Sequence, residues 1–169
     1  PHLIEVIHHY NVTHNLGLLY RGNENPAQSY RPGIPCWRKN GIEYPDSDTP
    51  VVWALEDPLV PVFYGITTQG TRSYFGSEEG GIDLFVKFKA FSTIVANESV
   101  DGKVGYVSVL QRGRDWTVFE GKAPTGWPDG SPIRVREMHT PHGQIPFFNV
   151  AVSLLDLEYL LRRQASQDS

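Results

Sequence analysis

The sequence predicts a β-dominated α+β fold: one domain over residues 1–169, with a twisted, mostly antiparallel sheet core, a mid-chain helix and a C-terminal amphipathic helix. Three observations carry this. Apolar runs of strand length recur along the chain between turn-forming stretches, and 16 glycines, 13 prolines and 12% aromatics favour strands over a helical bundle. Only two segments carry helix-start signals followed by an apolar stripe. No repeat, low-complexity tract or shift of composition divides the chain, whose 169 residues fit one domain.

Taken in order, Leu3–His9 is a β-compatible run, and Leu16–Gly22 a short apolar strand closing on Tyr20-Arg21-Gly22. Residues 23–50 are polar and proline-rich and read as a long loop, a kind of segment that is usually functional or mobile. Val51–Leu55 is the next strand. Asp57 and Pro58 then open a helix to about Tyr64, ended by Gly65, with Pro61 tolerated in the first turn. Residues 66–81 form another loop, and Asp83–Phe91 alternates as a half-solvated strand does. Val104–Leu110 is nearly all apolar and so central. Trp116–Glu120 and Ile133–Met138 are further strands, 139–149 an excursion, and Val150 with Val152 a closing strand. Ser153 caps the last helix with Asp156 three residues on. Leu154, Leu157 and Leu161 form its buried stripe, widened by Leu155 and Leu160, and Arg162 and Arg163 suit its negative end.

Charge and composition narrow the function. The net charge is −4 and the basic residues are scattered, so a nucleic-acid partner is not expected. No apolar run approaches the ~20 residues of a membrane span, so no membrane partner is expected either. The single cysteine, Cys36, cannot form an internal disulfide, which fits a reducing compartment; it reads as a half-buried small residue rather than a nucleophile. A cytoplasmic setting is therefore expected, resident or delivered there, and the start at Pro1 without methionine leaves room for a preceding segment.

The familiar catalytic frames are missing. There is no Gly-rich phosphate loop between a strand and a helix, and no Gly-x-Ser-x-Gly elbow. Six histidines raise the question of metal. His8 and His9 would point to opposite faces of a strand. His139 and His142 could ligate together on a turn, but no Glu or Asp lies between them and there is no helical His-Glu-x-x-His frame, so no metal is expected. What stands out is a set of residues ending strands beside loops: Arg21, the rings of Tyr20, Trp53, Phe63, Tyr64 and Tyr106, and Glu120. A guanidinium can hold a phosphate or carboxylate bidentately, rings can sandwich a heterocycle, and a carboxylate can stabilise a forming oxocarbenium ion. These are the parts needed to bind a dinucleotide and break its glycosidic bond. The same rings read equally well as core aromatics, and Arg21 as an ion-paired strand end.

Three blocks carry a resemblance: Leu19-Tyr-Arg-Gly22; Val51-Val-Trp-Ala-Leu-Glu-Asp-Pro58; and Gly105–Leu110 with Trp116 and Phe119-Glu120. In this order they resemble the compact ADP-ribosyltransferase-like domains, the group that includes the rifampin ADP-ribosyltransferases and the RNA 2′-phosphotransferases. The blocks cover about a fifth of the chain. Many members carry His where Arg21 stands, and the Ser-Thr-Ser strand and Glu-x-Glu pair of arginine-first members are missing here. The resemblance implies NAD as substrate, Arg21 and Gly22 at the pyrophosphate or ribose, and Tyr20, Trp53 and Tyr64 around a planar ring. Arg21 and Glu120 would be the catalytic pair, with Glu120 stabilising the ribosyl cation. The implied partners are a nucleotide-type small molecule and a protein acceptor, or water if NAD is simply hydrolysed. A non-catalytic binding module of the same fold is the alternative, and a metal-dependent hydrolase using His139 and His142 comes third.

Overall fold

The computed structural model describes residues 2–34, 49–68, 100–123 and 133–167, and everything said below concerns these. Their order is α1 (Leu3–His14), β1 (Leu18–Asn23), β2 (Val52–Ala54), α2 (Leu59–Ile66), β3 (Gly105–Gln111), β4 (Thr117–Ala123), β5 (Ile133–Thr140), β6 (Phe148–Val152) and α3 (Leu154–Gln167). This is the expected α+β architecture. Cys36, the strand expected at 83–91, half of the loop expected at 23–50 and most of that expected at 66–81 lie outside the described residues. Among the described residues, no helix is long and apolar enough to cross a membrane.

The strands form two antiparallel three-stranded sheets, β1-β3-β6 and β2-β5-β4. β3 is central to the first, as its apolar run requires. A single bridge joins the sheets: Tyr20 and Leu55 exchange both backbone hydrogen bonds, at 2.8 and 2.9 Å. Alternation along the strands sorts side chains onto two cores. Tyr20, Val107, Val109, Val150 and Val152 meet α1, α2 and α3 through Ile4, Val62, Phe63 and Leu157. Leu19, Leu110, Val52, Ala54 and Met138 pack in the second core with Tyr30 and Trp116.

The first element is a helix, not the strand expected from Leu3–His9. Its β-branched run favours a strand, but tertiary burial overrides propensity. Ile4 and Asn11 recur at helical spacing on the buried face, and the turn ends at Asn15 in the left-handed region (φ 50°). Asn11 fastens α1 to β1, accepting the Leu18 N–H at 2.8 Å and donating to the Leu18 carbonyl at 3.2 Å. His8 completes the joint, with Nδ1 3.3 Å from the Tyr20 hydroxyl and Nε2 3.7 Å from Asp57. Burial holds the His8 pKa below its ordinary 6.5, opposed by Asp57 and assisted by His9. The unfolded chain therefore takes up this proton more readily than the folded one. Stability from His8 is complete above about pH 6.5 and is lost as pH falls from there toward the lower folded value. Urea midpoints at pH 7.5 and 5.5 should show this slope in the wild type and a flatter one in His8→Gln.

α2 begins as expected, with Asp57 Oδ1 accepting the Leu59 N–H at 2.8 Å. Pro61 lies within its first turn, and all residues but Val60 are buried. Glycines let this helix lie close on the sheet. A Cβ on Gly22 would fall onto the Pro61 carbonyl, and one on Gly105 onto the Gly65 carbonyl, both rigid backbone. Gly22→Ala should therefore cost about 1–3 kcal/mol of folding free energy as the helix is pushed off β1. Denaturant unfolding measures it, and an unchanged midpoint would mean that the helix is not held at this distance.

α3 follows the predicted stripe with one change. Leu157, Leu160 and Leu161 are buried and Leu154 is partly so, but Leu155 faces solvent. Asp156 reaches back to the Ser153 N–H at 2.8 Å, the carboxylate half of the predicted capping box.

Candidate functional site

The site grows out of the point where the two sheets separate. Past the Tyr20–Leu55 bridge, an antiparallel ladder would next join Gly22 to Trp53. The bridge is isolated, and β1 instead runs on along β3. The chain returns to β2 only at Gly33, which exchanges backbone bonds with Val51 at 3.0 and 2.9 Å. Arg21 fills the opening between the two bridges. Its Nη1 donates to the Trp53 carbonyl at 3.5 Å, the long limit for a hydrogen bond. Its guanidinium carbon lies 4.5 Å from the ring centroid of Tyr30 and 4.5 Å from that of Trp53. Both distances are within cation–π range, so two rings hold the group.

Tyr64 stands edge-on to Trp53, with centroids 6.0 Å apart. Arg21, Trp53 and Tyr64 are thus brought together, as expected. The other assigned roles change. Tyr20 is 0% exposed and Tyr64 5%, so neither ring offers a face to a ligand. The Tyr20 hydroxyl accepts from Asn11 at 3.2 Å, and burial pushes its pKa up to about 12, leaving a neutral core phenol. Trp53 is half-buried, and Arg21 covers its ring. The expected slot of three rings is replaced by a stack built on Arg21. Gly22 makes room for α2.

Glu120 lies on β4, the outer strand of its sheet. Its side chain is 70% exposed and 3.3 Å from Arg136, which also meets Glu56 at 3.4 Å. Ion pairs this exposed have little electrostatic strength, because water screens them. The buried carboxylate on this sheet is Glu137. It is 4% exposed and lies 2.9 Å from His139 Nε2. The His139 ring is stacked flat on Phe119, with centroids 4.7 Å apart and planes 4° apart, and His139 is the register partner of Trp53.

Comparison with protein-family models, curated proteins and solved structures found no match to this chain.

Two residues in this geometry were missed in the sequence. Glu137 carries a visible signal: it is an ionisable residue beside Met138 in a run of strand-forming residues, and an ionisable group in such a run marks a partnered or functional position. Tyr30 carries none, because it sits in an aperiodic polar stretch. His139 is tied to Glu137, and the His142 backbone N–H donates to the Thr140 hydroxyl. Among the described residues no group of three or more His, Cys, Asp or Glu could hold a metal ion. The arrangement offers an oriented planar cation at a gap between strands, with a buried acid–histidine pair on the adjoining strand.

Proposed function

We propose that the domain binds NAD at the opening between β1 and β2 and breaks its nicotinamide–ribose bond, passing ADP-ribose to a protein acceptor or to water. The observation that carries this reading is the Arg21 guanidinium held over the rings of Tyr30 and Trp53. Two rings packed against the group order it, and a planar fork matches two oxygens of a pyrophosphate. When the bond breaks, nicotinamide leaves with the electron pair and the ribose carbon becomes cationic. A carboxylate stabilises that cation best where water is scarce. On this physical ground Glu137 is a stronger choice than Glu120, the residue the resemblance brought forward. A cytoplasmic setting, resident or delivered, suits an activity that consumes NAD.

The test is calorimetric titration with NAD, run beside an assay for free nicotinamide. A protein that does neither defeats the proposal. A second reading is favoured by one specific observation: Glu120 is engaged by Arg136, and the expected ring slot is filled by the protein's own side chains. On that reading the domain is a non-catalytic binding or regulatory module recognising a protein or small molecule. NAD binding without nicotinamide release would select it.

A further inference from the structure

The side chain that fixes Arg21 from the loop side is itself held by a buried relay. Tyr30 is buried, and its hydroxyl donates to Ser108 Oγ at 2.6 Å. Ser108 is fully buried on β3 and donates in turn to Asn149 Oδ1 at 2.5 Å. Asn149, on β6, donates to the Ala27 carbonyl at 2.9 Å, returning the chain of bonds to the loop that carries Tyr30. Asn23 donates to both the Tyr30 hydroxyl and Ser108 Oγ. Tyr30 also exchanges backbone bonds with Gln144 at 2.8 and 3.0 Å. A buried polar cluster with its partners met rigidifies what it holds. Here it fixes a ring that otherwise would sit on a polar loop.

We infer that Tyr30 is a positioning residue: the Asn23–Tyr30–Ser108–Asn149 relay sets its ring, and that ring sets the plane of Arg21 against Trp53. Ser108 is the hub, since strand β1 reaches it through Asn23, the loop through Tyr30, and β6 through Asn149. With its central carbon over both rings, the guanidinium is held against them, so the setting of the Tyr30 ring bears on where the fork points. The relay is thereby a determinant of oxyanion geometry, and this consequence rests on the nucleotide reading above. The positioning itself does not.

The experiment is therefore twofold. The Arg21 Nε–Hε signal, assigned with Arg21→Lys, is followed by NMR in full-length wild type, Tyr30→Phe and Tyr30→Leu. Titrations with NAD and with inorganic pyrophosphate accompany it. The wild-type signal should be displaced from those of exposed arginines by the two ring currents. Tyr30→Leu should return it most of the way. Tyr30→Phe keeps the ring but cuts the relay, so the signal should move and broaden. Both variants should bind either probe more weakly, by roughly tenfold in Tyr30→Phe, the scale of one lost ordering hydrogen bond. A structural role alone would shift the unfolding midpoint and leave the Arg21 signal of the folded protein in place. An undisplaced wild-type signal, or one unmoved in folded Tyr30→Phe, overturns the inference. If the signals behave as expected but the wild type binds neither probe, the positioning stands and the nucleotide reading falls.

Discussion

Arg21→Ala should weaken NAD binding by about 2–5 kcal/mol, the range seen when one partner of a desolvated charge pair is truncated. The size follows from where the side chain sits. Its guanidinium is ordered before any ligand arrives, by two rings whose centroids are each 4.5 Å from its central carbon, so little ordering entropy opposes binding. Arg21→Lys separates charge from shape. An ammonium keeps the charge but cannot stack on a ring or present two parallel donors, so most of the affinity should go with it. Folding should suffer less, because each cation–π contact at a half-buried site is worth about 0.5–2 kcal/mol. Calorimetry with NAD and urea unfolding on the same samples read the two effects separately. Equal affinity in wild type and Arg21→Ala would remove Arg21 from the site.

The position of this arginine was legible because two patterns agree there: an apolar strand ends, and a turn-rich stretch follows. The strands β1 to β6 and helix α2 were legible from the same pairing of apolar runs with turn-forming flanks, although burial does not alternate along β1 or β3, because both of their faces meet a core. Helix α1 was not. Its Ile and Val side chains favour a strand, and the contacts that hold it as a helix lie outside it: Asn11 meets Leu18 and His8 meets Tyr20 on the next strand, while His8 meets Asp57 and His2 meets Asp156 from far along the chain. Only the fold brings those partners together. Tyr20 shows the converse limit. A tyrosine at a strand end looks the same whether its ring faces a cleft or a helix, and here α1 covers it.

The glycines show how packing and site are one problem. Gly22 follows Arg21 directly, and its missing side chain lets the Pro61 carbonyl of α2 approach β1. That contact holds the outgoing part of β1 under the helix, while the returning loop is bonded to β2 at Gly33. The opening that Arg21 fills is the space between these two courses of the chain. In this fold the missing side chain of Gly22 admits the helix, and Arg21 stands at the gap.

Glu137→Gln should lower nicotinamide release by roughly a hundred- to a thousandfold while changing NAD affinity little, because a charge that meets a forming cation acts mainly in the transition state. Glutamine keeps the shape and can still hydrogen-bond to His139, so the stack of His139 on Phe119 has no reason to move. Glu120→Gln is the control that decides between the two acids. Its carboxylate is mostly in water and shared with Arg136, so losing the charge should change the rate less than about fivefold. The electrostatic difference is one of surroundings, since the same negative charge interacts far more strongly where 4% of the residue is exposed than where 70% of the side chain is. If Glu120→Gln is the slow variant and Glu137→Gln keeps the wild-type rate, the buried pair on β5 is structural and the exposed acid on β4 carries the chemistry. Should both variants keep it, neither carboxylate meets the ribosyl cation.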